Sequence, residues 1–333
     1  MSSGLSIDQA AQSAGDSGAL DIDALQRALL RLDLAVFSPL QGAVADYVRF
    51  YGIDLENVVP GVRHYTGWFE AYGYRLVAHA FLPPEAKGTV FFLHGYLDHS
   101  GLYRHLMRDC LERGHAVFIL DLPGHGLSSG DRVDIPDFSH YQHVLADAME
   151  RFGADLPAPF YAVGLSMGGA IVMDHVLSAA AQDRPAPFRK ILLLAPLVRP
   201  VQWAQIRFGW WLVRHFRPAV PRVFRTNSSD EAYLQFVRES DPLQARLVPM
   251  RWIGALRRWV KYMERLPACT TPALLVQGGR DETVEWRFNN DYVRRHFPVE
   301  FEAQVPEASH QLPNERDDLR APVHEALARM LAS

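Results

Sequence analysis

From residue 63 onward the apolar positions fall into short runs separated by polar, glycine-bearing and helix-patterned stretches. Residues 63–70 and 74–82, split by Tyr72-Gly73, predict an antiparallel hairpin. The runs TVFFL (89–93), AVFIL (116–120), FYAVGL (160–165), ILLLA (191–195), ALLVQ (273–277) and EFEAQV (300–305) then alternate with helical stretches. Strands in that alternation imply an α/β protein: a mostly parallel central sheet with helices on both faces. Ligands of such sheets bind beyond the C-terminal strand ends, so the residues directly after these runs are the candidates for chemistry.

Two stretches depart from the alternation. Ahead of the hairpin, Leu25, Leu29, Leu32 and Val36 recur at helical spacing from Asp21 until Ser38-Pro39 stops them, and a second helix is expected from about Leu40 to Tyr51. With the small, polar residues 1–18, expected to fray, they make residues 1–60 an N-terminal extension for packing or self-association. Between ILLLA and ALLVQ the strand pattern lapses over residues 197–266, too long for a structureless loop, which predicts a helical insertion. The core would then comprise residues 61–196 and 267–333.

Composition narrows the function classes. The 333 residues are 48% hydrophobic and 22% charged, as in a globular protein with a sizeable core, and the formal charge of −4 offers no attraction to a nucleic acid. Cys110 and Cys269 are too few for a disulfide framework or a cysteine-rich zinc site. The first residues lack the positive charge and apolar block of a secretory leader, and no apolar run reaches the roughly 20 residues needed to span a bilayer. A soluble cytoplasmic protein is expected. Residues 199–265, however, carry 13 basic and five acidic side chains interleaved with aromatics such as Trp210, Trp211 and Phe216, a combination suited to peripheral contact with a membrane.

The chemistry is read from the strand ends. In FYAVGLSMGGA the glycines around Ser166 permit a sharp strand-to-helix turn that lifts a hydroxyl above the sheet. A serine needs a general base and a group to orient it. Asp281 follows the ALLVQ strand, whereas no carboxylate follows ILLLA, so Asp281 is the candidate acid. Of the later histidines, His296 and His324 lie in helical patterns and His310 alone follows a strand, making it the candidate base. The backbone N–H groups of Met167, next to the serine, and Tyr96, after the FFL strand, are the candidate oxyanion donors. His94 is expected to buttress its loop. His99, His105, His140 and His143 carry no metal-ligand motif and are read as loop or surface histidines. Gly124-x-Gly126 is followed by Gly130, one position late for a dinucleotide fingerprint. Neither cofactor nor metal is expected.

The segments HGYLDHSGLY, DLPGHGLSSGDR, GLSMGG, GGRDETV and ASHQLP resemble the α/β-hydrolase superfamily, and within it the serine hydrolases that include monoacylglycerol lipases and bacterial lysophospholipase-like enzymes. The resemblance covers about residues 62–333 and implies roles for Ser166, Asp281, His310 and the Tyr96 and Met167 amides, with residues 197–266 as a lid. It implies hydrolysis of a carboxylic ester in a small or lipid substrate through an acyl-enzyme. An amidase, aminopeptidase or thioesterase would use the same triad, and a non-catalytic binding protein is the rival of another class.

Overall fold

The computed structural model describes residues 20–332. The tail expected over residues 1–18 lies outside them. Strands β1 (Arg63–Ala71), β2 (Tyr74–Leu82), β3 (Thr89–Leu93), β4 (Ala116–Leu120), β5 (Phe160–Leu165), β6 (Ile191–Leu194), β9 (Ala273–Gly278) and β10 (Val299–Val305) form one sheet in the order β1-β2-β4-β3-β5-β6-β9-β10. Only β2 runs against the others. The connection order reverses at β3, which lies between β4 and β5, so the loops leaving β3 and β5 meet at the switch point where α/β sheets bind ligands.

The central strands bury both faces, and their period-two geometry divides their side chains between two cores. Phe91, Leu93, Phe118, Leu120 and Leu193 pack on one side of the sheet; Val90, Phe92, Val117, Ile119 and Leu192 pack on the other. Helices α3 (Arg104–Glu112), α4 (Ser139–Phe152), α5 (Met167–Ala181), α9 (Trp286–His296) and α10 (Asp317–Leu331) cover these faces. At one edge β10 turns Glu300, Glu302 and Gln304 outward, which discourages further strand addition.

The first predicted helix is shorter than the spacing suggested. Helix α1 spans Ile22–Ala28, capped by Asp21 Oδ1 accepting the Ala24 N–H at 2.8 Å. It stops because the next backbone finds better partners: the Trp68 N–H donates to the Leu30 carbonyl and the Leu32 N–H to the Trp68 carbonyl, both at 2.8 Å. The segment thus continues the sheet beyond β1. Leu25, Leu29 and Leu32 are buried as the spacing implied, while Val36 is 64% exposed. Helix α2 (Gly42–Tyr51) matches expectation, burying Val44, Tyr47, Val48 and Tyr51 and ending at Gly52 in the left-handed region.

The segment between β6 and β9 is only partly helical. It holds α6 (Trp203–Val213), α7 (Glu231–Gln235), a π-helical turn (Phe236–Ser240) and α8 (Met250–Met263), but also β7 (Ala219–Pro221) and β8 (Leu247–Pro249), paired antiparallel. Chain pairing here is non-local, so helical periodicity could not reveal it. Among the described residues no helix is long and apolar enough to cross a membrane.

The edge pairing yields a stability prediction. A Cβ on Gly67 would lie 2.6 Å from the Leu30 carbonyl oxygen and 2.9 Å from the Leu32 nitrogen. Gly67→Ala should therefore break two backbone hydrogen bonds, lower stability by roughly 1–3 kcal/mol and open the segment before β1 to protease. Gly209, inside α6 with nothing within 4 Å of its Cβ position, is the counterpart. Gly209→Ala should raise stability by about 0.5–1 kcal/mol; urea denaturation measures both.

Candidate active site

Ser166 joins β5 to α5 with φ +53° and ψ −112°, a conformation costing on the order of 1–3 kcal/mol for a residue other than glycine. Three backbone bonds hold it: the Ser166 N–H donates to the Leu194 carbonyl at 2.9 Å, and its own carbonyl accepts from Ala170 and Leu197 at 3.0 Å. The flanking glycines are required by close approach. A Cβ on Gly168 would collide with the Leu93 carbonyl oxygen, and one on Gly164 with the backbone of Gly168 and Gly169.

Asp281 leaves β9 with both carboxylate oxygens engaged. Oδ1 accepts the Thr283 and Val284 N–H groups at 2.7 and 3.2 Å, shaping the turn toward α9. Oδ2 accepts from Gln277 Nε2 at 3.0 Å and lies 2.8 Å from His310 Nδ1. Burial acts against the charge on both partners, but their mutual attraction and hydrogen bond prevail: the His310 pKa is held above the usual imidazole value and that of Asp281 below the usual carboxylate value. The loop bearing His310 crosses the end of β9 closely, since a Cβ on Gly278 would strike the Ser309 carbonyl and one on Gly279 the Pro306 carbonyl. By contrast His296 stacks on Tyr292 and His324 Nδ1 lies 2.8 Å from Asp109, on helices α9 and α10.

The loop after β3 brings Tyr96 to the same place. His94 accepts the Leu122 N–H on Nε2 at 2.9 Å, which leaves the proton on Nδ1 to donate to the Gly95 carbonyl at 2.8 Å. It therefore buttresses the loop as expected. Beside it, Asp98 accepts from Tyr103 and from Gln311, the residue after His310. The glycines of DLPGHGLSSG serve a tight turn around the buried Asp121 carboxylate, which accepts the Ser100 and Leu127 N–H groups at 2.8 Å.

His99 corrects the sequence reading as a loop or surface histidine. It is fully buried and its Nε2 lies 3.0 Å from Asp241, in the segment between β6 and β9. Asp241 also accepts from the Tyr51 hydroxyl at 2.7 Å and from Gln244 at 2.8 Å. One carboxylate therefore ties together α2, the loop after β3 and the inserted segment. No sequence motif marks it, because its partners come from distant stretches of chain.

Ser166, His310, Tyr96, Asp98 and Gln311 open onto one cavity of about 200 Å³, roofed by Arg222, Phe224, Arg225, Leu234 and Arg238. The sequence located Ser166, His310 and Tyr96 by their strand ends; Asp98, Gln311 and the three arginines carried no such signal. A family model described as serine aminopeptidase, S33, matches residues 84–317. The chain belongs to this family.

The chain is also similar to individual proteins. Human monoglyceride lipase is 31% identical over 204 residues, which cover 59% of this chain and 65% of the human enzyme. The monoglyceride lipase homolog of Monkeypox virus is 27% identical over 244 residues, 71% of this chain and 86% of its own. A soluble variant of Saccharomyces cerevisiae monoglyceride lipase, solved with a substrate analog, aligns with a TM-score of 0.67 at 17% identity, over 80% of this chain and 94% of that one. The fold of this S33-family chain is that of the α/β-hydrolases.

The Asp281–His310 pair predicts a titration. An isolated imidazole titrates near ~6.5, and His310 should titrate above it. Asp281→Asn removes the charge and leaves burial to dominate, so the His310 transition should fall below ~6.5. Imidazole NMR chemical shifts against pH measure both; an unshifted transition in the variant would disprove the coupling.

Proposed function

We propose that this protein is a serine-dependent carboxylic-ester hydrolase acting on monoacyl lipid esters through an acyl-enzyme. One observation carries the reading: Ser166, on its strained turn, opens into the same cavity as His310, whose Nδ1 is held by Asp281. His310 Nε2 takes the Ser166 proton as Oγ bonds to the ester carbon, and returns it to the departing alcohol as the ester C–O bond breaks. Water then attacks the acyl-enzyme with the same base and frees the acid. Asp281 orients the imidazole and stabilises its protonated form. The Tyr96 and Met167 N–H groups have no partner within the protein among the described residues, which suits them to receive the oxyanion.

In this reading residues 61–196 and 267–333 form the catalytic core and residues 197–266 a lid. The Gln311 N–H donates to the Asn227 carbonyl, Ser228 Oγ to the Asn314 carbonyl and the Ser229 N–H to Glu315, which would anchor the lid beside His310. Monoglyceride lipases among the relatives favour an ester of an acyl chain, whereas a serine aminopeptidase family favours an amide; turnover of matched esters and amides separates them.

Ser166→Ala should keep the fold, lose labelling by a fluorophosphonate probe and lose several orders of magnitude in turnover of p-nitrophenyl esters. Amide turnover exceeding that of matched esters would replace the ester reading. The base must be neutral, and its pKa is raised, so kcat/KM should fall on the acid side from a midpoint above ~6.5.

The lid would also meet the lipid surface. The aromatics that the sequence grouped together separate in the structure: Trp203, Trp252 and Trp259 are buried, while Phe208, Trp211 and Phe216 are exposed, Phe216 at 85%, beside an exposed Leu212. Arg207, Arg214 and Arg217 accompany them on α6 and the turn beyond. Binding to anionic vesicles should exceed binding to zwitterionic ones and weaken with salt. Replacing the three arginines with glutamine should abolish the difference in cosedimentation; equal binding to both vesicle types by the wild type would remove this role.

A further inference from the structure

The roof of the cavity is more basic than a neutral ester requires. Arg222, Arg225 and Arg238 all line it, and among the described residues none forms an ion pair with a carboxylate. Arg222 is partly buried, with its guanidinium 4.4 Å from the Phe224 ring centre and Nη1 donating to the Gln244 side chain and the Ala245 carbonyl. Among the described residues its Nε and Nη2 have no hydrogen-bond partner. Arg225 donates to the Glu282 carbonyl, a neutral acceptor. Arg238 lies exposed on the π-helical turn, with no side-chain partner among the described residues.

The buried acids nearest the site already have donors. Asp98 accepts from Gln311 and Tyr103, Asp241 from Tyr51 and Gln244 beside His99, and Asp281 holds His310. In the same inserted segment Asp230 caps α7, Glu239 accepts from Gln235, and Glu264 pairs with Arg199. Burial pulls the Arg222 pKa below its ordinary value, with the charges of Asp98 and Asp241 acting in the opposite direction.

Three guanidinium groups face one cavity whose carboxylate, Asp98, already accepts from Gln311 and Tyr103, and they present forked donors matched to a phosphate or carboxylate. We infer that the substrate carries an anionic group in addition to its ester, and that Arg222, Arg225 and Arg238 receive that group while Ser166 attacks the acyl carbon. This rests on the ester-hydrolase reading and narrows it: an acyl ester with a phosphate or carboxylate near the ester is preferred over a neutral acylglycerol. The arginines also select the orientation, since the anion faces the inserted segment and the acyl carbon faces Tyr96 and Met167.

The test compares soluble octanoyl esters differing only in the alcohol: glycerol, glycerol 3-phosphate and glyceric acid. At low ionic strength at least one anionic ester should exceed the neutral one in kcat/KM by about tenfold or more, and the preference should shrink as salt is added. Preference for the phosphate alone identifies a phosphate substrate; equal preference for both anions identifies a site for either charge. The paired change Arg225→Gln with Arg238→Gln should bring the anionic-to-neutral ratio toward unity, and Arg222→Lys, which keeps the charge but loses the fork, should reduce it partly. Equal wild-type rates on all three esters, faster turnover of the neutral ester, or a ratio that survives the paired change would overturn the inference. p-Nitrophenyl butyrate carries no anion and separates the two failures: its hydrolysis without an anionic preference defeats only the inference, and its resistance defeats the ester reading with it.

Discussion

The arrangement depends on one close backbone contact, where the first turn of α5 passes the C-terminal end of β3. Gly168 sits so near the Leu93 carbonyl that no side chain fits between them. That approach sets Ser166 beside the loop carrying Tyr96, while the bonds to Leu194, Leu197 and Ala170 keep its backbone at positive φ. Relaxing the turn would require separating neighbouring strands β3, β5 and β6, each locked into the sheet by its ladder. The strain is therefore borne by the most cooperative part of the molecule, which suits a group needing a fixed position.

Around this rigid point the loops are held by buried carboxylates, each collecting several donors. Asp121 joins the loops after β3 and β4, Asp281 shapes its own turn and fixes His310, and Asp241 gathers α2, the β3 loop and the inserted segment. A buried carboxylate is costly unless its oxygens are occupied, so each such group makes the neighbouring loops interdependent. The N-terminal extension is tied into this system at both ends: Leu30 and Leu32 extend the sheet edge, and Tyr51 reaches Asp241. Removing it would expose the outer edge of β1 and take one donor from the carboxylate that positions the roof of the cavity.

The two charged features of the inserted segment have different physical settings. The arginines on α6 and just beyond it lie among exposed aromatic side chains and can meet a planar surface. Arg222, Arg225 and Arg238 line a small cavity beside Ser166, Arg222 partly buried and the other two at its solvent-exposed rim. A count of charge along the chain merges these groups, because both lie in the same stretch of sequence.

The sequence by itself determined the parallel sheet, whose central strands are legible because both faces are buried and their residues are almost wholly apolar. It also determined the strand-end positions of Ser166, Asp281, His310 and Tyr96, since chemistry in such a sheet is confined to one end. Local patterning could equally identify α2, where a buried stripe ends at a left-handed glycine. The tertiary structure decided what depends on distant backbone or charge: the early end of α1 at the edge of β1, the pairing of β7 with β8, the burial of His99 against Asp241 and the gathering of three arginines above Ser166. Spacing encodes which face of an element is apolar; it does not encode which distant carbonyl competes for a helical N–H, or which carboxylates are already occupied when a cation reaches the site.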